Sequence, residues 1–275
     1  VSLREDTRAL LERHGLWAQK RFGQNFLVDA GVVRDIAAAA LDGAPKQVVE
    51  IGPGLGTLTS ALLDRGAEVV AVEKDPGLVP LLEETLAGRP FRLVRADALK
   101  TDLAALWPPG TRPTVAGNIP YNISSPLLAQ LVAQRAQLGP VTLMVQTEVA
   151  ERWMAKPGSK AYGSPTVLIQ TWADLRRVRG VPPQCFLPPP KIHSTVVRFD
   201  WLPEPRVPVP DPAHYERTVR TAFGQRRKTL RNALRAGFSP EAVAAAEGAL
   251  DLGRRAETLS LAELSALAQA LRSAL

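Results

Sequence analysis

The 275-residue chain carries 34 Lys and Arg against 27 Asp and Glu, a formal charge of +7, and is 45% hydrophobic. That is enough to bury one sizeable core and a smaller second one, and no apolar run reaches the roughly eighteen residues that span a bilayer, so no membrane partner is expected. A single cysteine, Cys185, excludes an internal disulfide, and His14, His193 and His214 are too scattered in sequence to suggest a metal site.

The first stretch, SLREDTRALLERHG, is amphipathic and acid-containing, which fits neither a secretory signal nor a transit peptide; a reducing, cytoplasmic protein is the expectation. Asp29 to Leu41 reads as a helix, with Asp29 as its cap and Val32, Val33, Ile36, Ala37 and Ala40 on one face. From Lys46 to Met154 short apolar runs alternate with helix-like segments, the pattern of a parallel sheet covered by crossover helices. QVVEIG, AEVVAVEKD, FRLVRADAL, TVAGNI and VTLMVQT read as buried strands, with helices starting near Thr57, Leu78 and Ser124. A further helix follows Pro165, and ADLRRVRGV and HSTVVRFDWL read as two strands closing the sheet. The fold class predicted is α/β, a Rossmann-like sheet with a small all-helical C-terminal domain.

Five prolines between Pro203 and Pro212 exclude helix and central strand, so the domains divide there, 1–205 and 206–275. The second part has helical periodicity punctuated by Gly237, Gly248 and Gly253. Between Tyr215 and Arg235 it holds seven Arg or Lys against one Glu, a local excess that suits a polyanion, although a solvated helix face has the same composition.

The first strand of the sheet runs into Glu50-Ile51-Gly52-Pro53-Gly54-Leu55-Gly56. Glycines there let the backbone turn sharply and bring a ligand close to the main chain at the carboxyl end of the sheet. Thr57 departs from the dinucleotide fingerprint, and the loop has no Gly-Lys-Ser/Thr of a triphosphate site. The next strand ends at Glu73, placed to accept from ribose hydroxyls, and the third at Asp97, where a carboxylate can accept from an adenine amine. The fourth ends in Asn118-Ile119-Pro120-Tyr121. An exocyclic adenine nitrogen is a poor nucleophile because its lone pair is delocalised into the ring. Two acceptors, the Asn118 side-chain carbonyl and the Pro120 backbone carbonyl, can each take one amino hydrogen and favour a pyramidal nitrogen. Tyr121 can stack on the base, at about 1–3 kcal/mol. Cys185 reads as structural, since such a transfer needs no thiol nucleophile.

With these motifs in view, the sequence resembles the KsgA (RsmA) family of ribosomal RNA adenine dimethyltransferases over essentially its full length. Phe22 to Leu27 looks like the family's N-terminal cofactor motif, with Asn25 and Leu27 as contact positions. Glu50 to Gly56 is similar to its glycine loop, Glu73 to its ribose ligand, Asp97 to its adenine ligand and Asn118 to Tyr121 to its catalytic loop. Phe186 to Lys191, followed by Ser194, resembles the segment whose aromatic residue faces the target base. Phe223 to Asn232, with Arg226, Arg227, Lys228 and Arg231, looks like its basic RNA-binding helix.

The resemblance implies S-adenosylmethionine as cofactor and N6,N6-dimethylation of two adjacent adenosines near the 3′ end of small-subunit rRNA. The assembling small subunit is then the partner and a monomer the expected form. Ile119 stands where this family more commonly has Leu, and Ile also occurs in the Erm group, which methylates large-subunit rRNA. An Erm-type activity, a small-molecule N-methyltransferase and a non-catalytic assembly factor are the alternatives; the Pro-Pro-Pro-Lys segment and the Arg-Arg-Lys run favour KsgA.

Overall fold

A computed structural model describes residues 2–19 and 24–273. In chain order its main elements begin with α1 (Leu3–Arg13), β1 (Phe26–Leu27), α2 (Ala30–Leu41), β2 (Gln47–Ile51), α3 (Thr57–Leu63), β3 (Glu68–Glu73) and α4 (Val79–Thr85). They continue with β4 (Phe91–Arg95), β5 (Thr114–Asn118), α5 (Ser124–Gln134), β6 (Val141–Gln146), α6 (Thr147–Trp153) and α7 (Ser164–Trp172). The remainder are β7 (Ala173–Val181), β8 (Phe186–Leu187), β9 (Ser194–Trp201), α8 (Pro212–Phe223), α9 (Leu230–Leu234), α10 (Pro240–Ala246) and α11 (Leu261–Ser273).

Seven strands form one sheet in the order β4-β3-β2-β5-β6-β9-β7. The β2, β3, β4, β5 and β6 ladders are parallel, and β9 joins β6 antiparallel. Parallel strands covered on both faces lose all solvent, which is why β2, β3 and β6 are almost continuously apolar and buried. Strand order reverses between β2 and β5, so their carboxyl ends open a crevice suited to a ligand. The two strands come close there: a Cβ on Gly117 would sit 2.5 Å from the Ile51 carbonyl oxygen, so only glycine fits.

One short ribbon is separate from this sheet. β1 and β8 pair antiparallel, Phe26 opposite Leu187 and Leu27 opposite Phe186, and bring the Asn25 segment beside the Phe186 segment.

The chain falls into two compact units, residues 1–150 with 175–201, and residues 151–174 with 202–275. This differs from the expected division at 205/206, and packing explains why. Ala155, Tyr162, Val167 and Leu168 share an apolar cluster with Tyr215, Val219, Leu230, Leu264 and Leu271, so α7 belongs with the C-terminal helices. The Pro-rich connector is also tied into that unit, through Leu202 and Arg206 amides on the carbonyls of Trp172 and Thr171 and the Ser265 hydroxyl on Pro208.

Phe223 to Asn232 is not one helix. α8 ends at Phe223 with Gly224 as its C-cap, residues 224–229 form a turn closed by the Lys228 amide on the Gln225 carbonyl, and α9 starts only at Leu230. Gly224 keeps helical dihedrals, and it is the extended backbone of Thr229, the N-cap of α9, that breaks the helical pattern the charges suggest. No helix of the described residues is long and apolar enough to cross a membrane.

Gly117→Ala is expected to cost about 2–4 kcal/mol of unfolding free energy, because the clash is with backbone that cannot step aside. A denaturant midpoint equal to that of the parent chain contradicts this reading of the switch point.

Candidate functional site

The crevice at the carboxyl ends of β2, β3, β4 and β5 is a cavity of about 400 Å³. Its floor is the glycine loop. Gly52, Gly54 and Gly56 all have positive φ, at 66°, 59° and 79°, a backbone conformation that L side chains rarely adopt. The loop therefore keeps its backbone bare toward the cavity and turns into α3, whose first residue is Thr57.

Glu73 closes β3 and is buried, with its carboxylate in the cavity wall. Burial raises its pKa above the ordinary value, while the amides of Asp75, at 2.7 Å, and Gly54 pull the other way. Asp75 is buried too, accepts from Gly77 at 3.0 Å and receives the Gln24 side-chain amide at 2.6 Å, and the Gln24 oxygen takes the Gln19 amide. Gln24 and Asp75 thus brace Glu73 from behind. Gln24 lay inside a recognised motif without being singled out, and the Asp75-Pro76 pair, an Asp before a Pro at a helical start, was the signal for Asp75.

Asp97 lies two residues beyond the end of β4 rather than at the strand end itself, because its carboxylate caps the 3-10 turn at Ala98–Lys100. Leu99 donates to Oδ1 at 3.0 Å and the Lys74 ammonium to Oδ2 at 2.9 Å. The Lys74 hydrogen bond is the main reason its pKa is lowered, so the group is an ionised acceptor.

Asn118 ends β5, and its side-chain nitrogen donates to the Asn25 carbonyl at 3.2 Å. An amide anchored through its nitrogen keeps its oxygen as an acceptor. Pro120 caps the 3-10 turn Tyr121–Ile123, and its carbonyl already accepts from Ile123 at 3.1 Å, leaving its second lone pair. Asn118, Pro120, Asn25, Leu27 and Phe186 all line the cavity, with Phe186 almost fully buried. The side chain of Tyr121 and residues Phe22 and Gly23 lie outside the described residues.

Glu50, not selected from the sequence as a site residue, is 1% exposed and reaches the cavity, and its Oε2 has no hydrogen-bond partner among the described residues. Burial pushes its pKa from 4.5 to about 8, the nearby Thr59 hydroxyl relieves a little of that, and Glu73 adds repulsion. Cys185 stands apart from this chemistry: burial pushes its thiol up and its Sγ donates to the capping carboxylate of Asp29 at 3.5 Å. Among the described residues no group of His, Cys, Asp or Glu could hold a metal ion.

The cationic residues sit in the other unit. Arg226 donates to the Lys160 carbonyl and faces Glu257 at 3.8 Å, and Arg231 on α9 pairs with Glu247 at 3.1 Å. Arg227 and Lys228 are exposed on the turn with no ion-pair partner among the described residues.

Because Glu50 keeps its proton to about pH 8 in the folded chain and releases it near 4.5 when unfolded, its contribution to stability is full below about pH 4.5 and is lost as pH rises to 8. Glu50→Gln is therefore expected to flatten the fall in melting temperature of the cofactor-free chain between about pH 5 and 8.5. Parallel profiles for the two proteins contradict a buried, protonated Glu50.

A model of the ribosomal RNA adenine dimethylase family matches residues 15–272. Ribosomal RNA small subunit methyltransferase A of Magnetococcus marinus is 47% identical over 95% of this chain and 94% of that protein, and the protein of the same name from Syntrophotalea carbinolica is 47% identical over 91% and 96%. A dimethyladenosine transferase from Plasmodium falciparum shares the fold, with a TM-score of 0.71 at 23% identity over 88% of this chain and 95% of that one. A 23S rRNA methyltransferase, ErmE, superposes with a TM-score of 0.67 at 27% identity over 90% of this chain and 100% of that one. With positive-φ glycines, an acidic residue at the end of β3 and another just beyond β4 around one cavity, and a family match over almost the whole length, the chain belongs to the ribosomal RNA adenine dimethylases and is an S-adenosylmethionine-dependent methyltransferase.

Proposed function

We propose that this chain transfers two methyl groups from S-adenosylmethionine to N6 of each of two adjacent adenosines near the 3′ end of small-subunit (16S) rRNA, acting as a cytoplasmic monomer on the assembling subunit. The small-subunit choice draws on relatives named for that subunit at 47% identity, against 27% to the 23S enzyme. The observation that carries the chemistry is the Asn118 side chain pinned by its nitrogen on Asn25, because it fixes the carbonyl oxygen as the acceptor for an amine.

The residues present fit the cofactor. Positive-φ Gly52 and Gly54 line the cavity with bare backbone, buried Glu73 offers carboxylate oxygens to ribose hydroxyls, and ionised Asp97 offers an acceptor to the adenine amine. Gly52 and Gly54 let the ligand approach the main chain, and Leu27 on β1 and Asn25 just before it border the cavity. The unpartnered oxygen of Glu50, on a carboxyl that burial keeps neutral, adds a polar atom to the cavity lining. When bound, S-adenosylmethionine supplies a methyl group already activated on a cationic sulfur.

The protein's contribution is then orientation. Asn118 Oδ1 and the free lone pair of the Pro120 carbonyl each accept one hydrogen of the target amine, which turns its lone pair out of the ring plane. Tyr121 stacks on the base and Phe186 confines it on the other side. No side chain is required as a strong base, since water can take the proton once nitrogen carries the extra methyl. In the second unit Arg227 and Lys228, without ion-pair partners among the described residues, meet phosphates, and Arg226 and Arg231 can join by exchanging a carboxylate partner.

Asn118→Ala is expected to keep cofactor affinity within about threefold while lowering turnover at least about a hundredfold, the scale of one lost orienting contact. Turnover equal to the parent rules out the orienting role. Replacing Arg227 and Lys228 by Gln is expected to weaken RNA binding and to reduce the slope of log K against log salt by about 1–2. An unchanged slope removes that turn from the RNA interface.

A further inference from the structure

Gln130 lies on α5, the helix that starts at Ser124 directly after the turn Tyr121–Ile123. Its side-chain nitrogen donates to two carbonyls, Ala98 at 2.9 Å and Thr101 at 2.6 Å. Those carbonyls bracket the 3-10 turn that Asp97 caps, and the Thr101 hydroxyl closes the same turn on the Asp97 carbonyl at 2.9 Å. Asp97, Ala98 and Leu99 all line the cavity. Four residues along the helix, Gln134 uses its oxygen to accept from the amides of Leu103 at 3.1 Å and Ala104 at 3.3 Å, beyond the turn.

The chemistry of Gln130 is one-sided. Its Oε1 is buried with no hydrogen-bond partner among the described residues, while both N–H groups are engaged. Rotating the amide would place that oxygen against two carbonyl oxygens, so the arrangement of atoms is dictated by the surroundings. The side chain thus serves the fold through its donors alone, at the expense of an orphaned acceptor.

We propose that Gln130 is a positioning residue that locks the adenine-recognising turn of the cofactor site to the helix growing out of the catalytic loop. A free turn at Ala98–Lys100 would let the Asp97 carboxylate wander; the two bonds hold its backbone at both ends. The same helix carries the loop that presents Asn118 and Pro120, so one side chain fixes the spacing between the cofactor's adenine end and the acceptors of the target amine. The inference rests on Asp97 as the acceptor for the cofactor's adenine amine.

The test is equilibrium binding of S-adenosylmethionine to the full chain, alongside KM for RNA. Gln130→Leu, similar in volume without donors, is expected to weaken cofactor affinity about tenfold and leave KM for RNA unchanged. Gln130→Lys, which restores donors, is expected to recover most of that loss, whereas Gln134→Leu, which cuts bonds beyond the turn, changes affinity less than about twofold. Should Gln130→Leu fail to fold, Gln130→Glu supplies the same contrast with acceptors in place of donors. Combined with Asp97→Asn, Gln130→Leu should add little, because both act through one turn. Unaltered affinity in Gln130→Leu, no recovery with Lys, or full multiplication of the two losses overturns the proposal. Normal affinity in Asp97→Asn alone removes the adenine assignment instead, and the contrast between Leu and Lys still decides the clamp.

Discussion

The hydrogen bond from the Asn118 side chain to the Asn25 carbonyl is the contact on which the site depends. It can form only if β5 ends where it does, and that is set by its parallel registers on β2 and β6 and by the missing side chain of Gly117 under Ile51. It also requires Asn25 to be held in place, which the β1 and β8 ribbon does from the opposite direction. A carboxamide free to rotate presents donor and acceptor equally to an incoming amine. Fixed by its nitrogen, it presents an acceptor, and the amine must offer its hydrogens.

Around that contact the electrostatics are graded by burial. Glu50 is deepest and is held neutral to about pH 8, Glu73 is raised by the same cause with backbone amides opposing it, and Asp97 is lowered by Lys74. Three carboxyl groups of similar intrinsic acidity are thus shifted in different directions by their depth and partners. The result is a cavity with a fixed anionic acceptor at one end and a carboxyl at its floor whose charge responds to what lies beside it.

Much of this was legible in the sequence. Strands of a parallel sheet are buried on both faces, so β2, β3, β5 and β6 stand out as apolar runs, and Gly52, Gly54, Glu73 and Asn118 fall at their carboxyl ends by position alone. The β1 and β8 ribbon was not legible, since two residues on each side carry no periodicity and their pairing spans about 160 residues of chain. Arg226 to Lys228 read as helical because charge spacing cannot register the end of α8 at Phe223 or the extended backbone at Thr229. Residues 151–174 read as part of the sheet domain because sequence proximity to β7 hides the apolar contacts of Tyr162 and Val167 with α8 and α11. Gln130 was invisible for a related reason: its partners are backbone carbonyls, which no pattern of side chains reveals.

The proposed activity is delivery of methyl groups from this cavity to adenine N6 in small-subunit rRNA. The most direct measurement incubates the protein with isotopically labelled S-adenosylmethionine and ribosomal subunits lacking adenine methylation, then maps the product by mass spectrometry of nuclease fragments. N6,N6-dimethyladenosine is expected at two adjacent positions near the 3′ end of the small-subunit rRNA and none in the large subunit. Label confined to the large subunit, or no label in either, contradicts it.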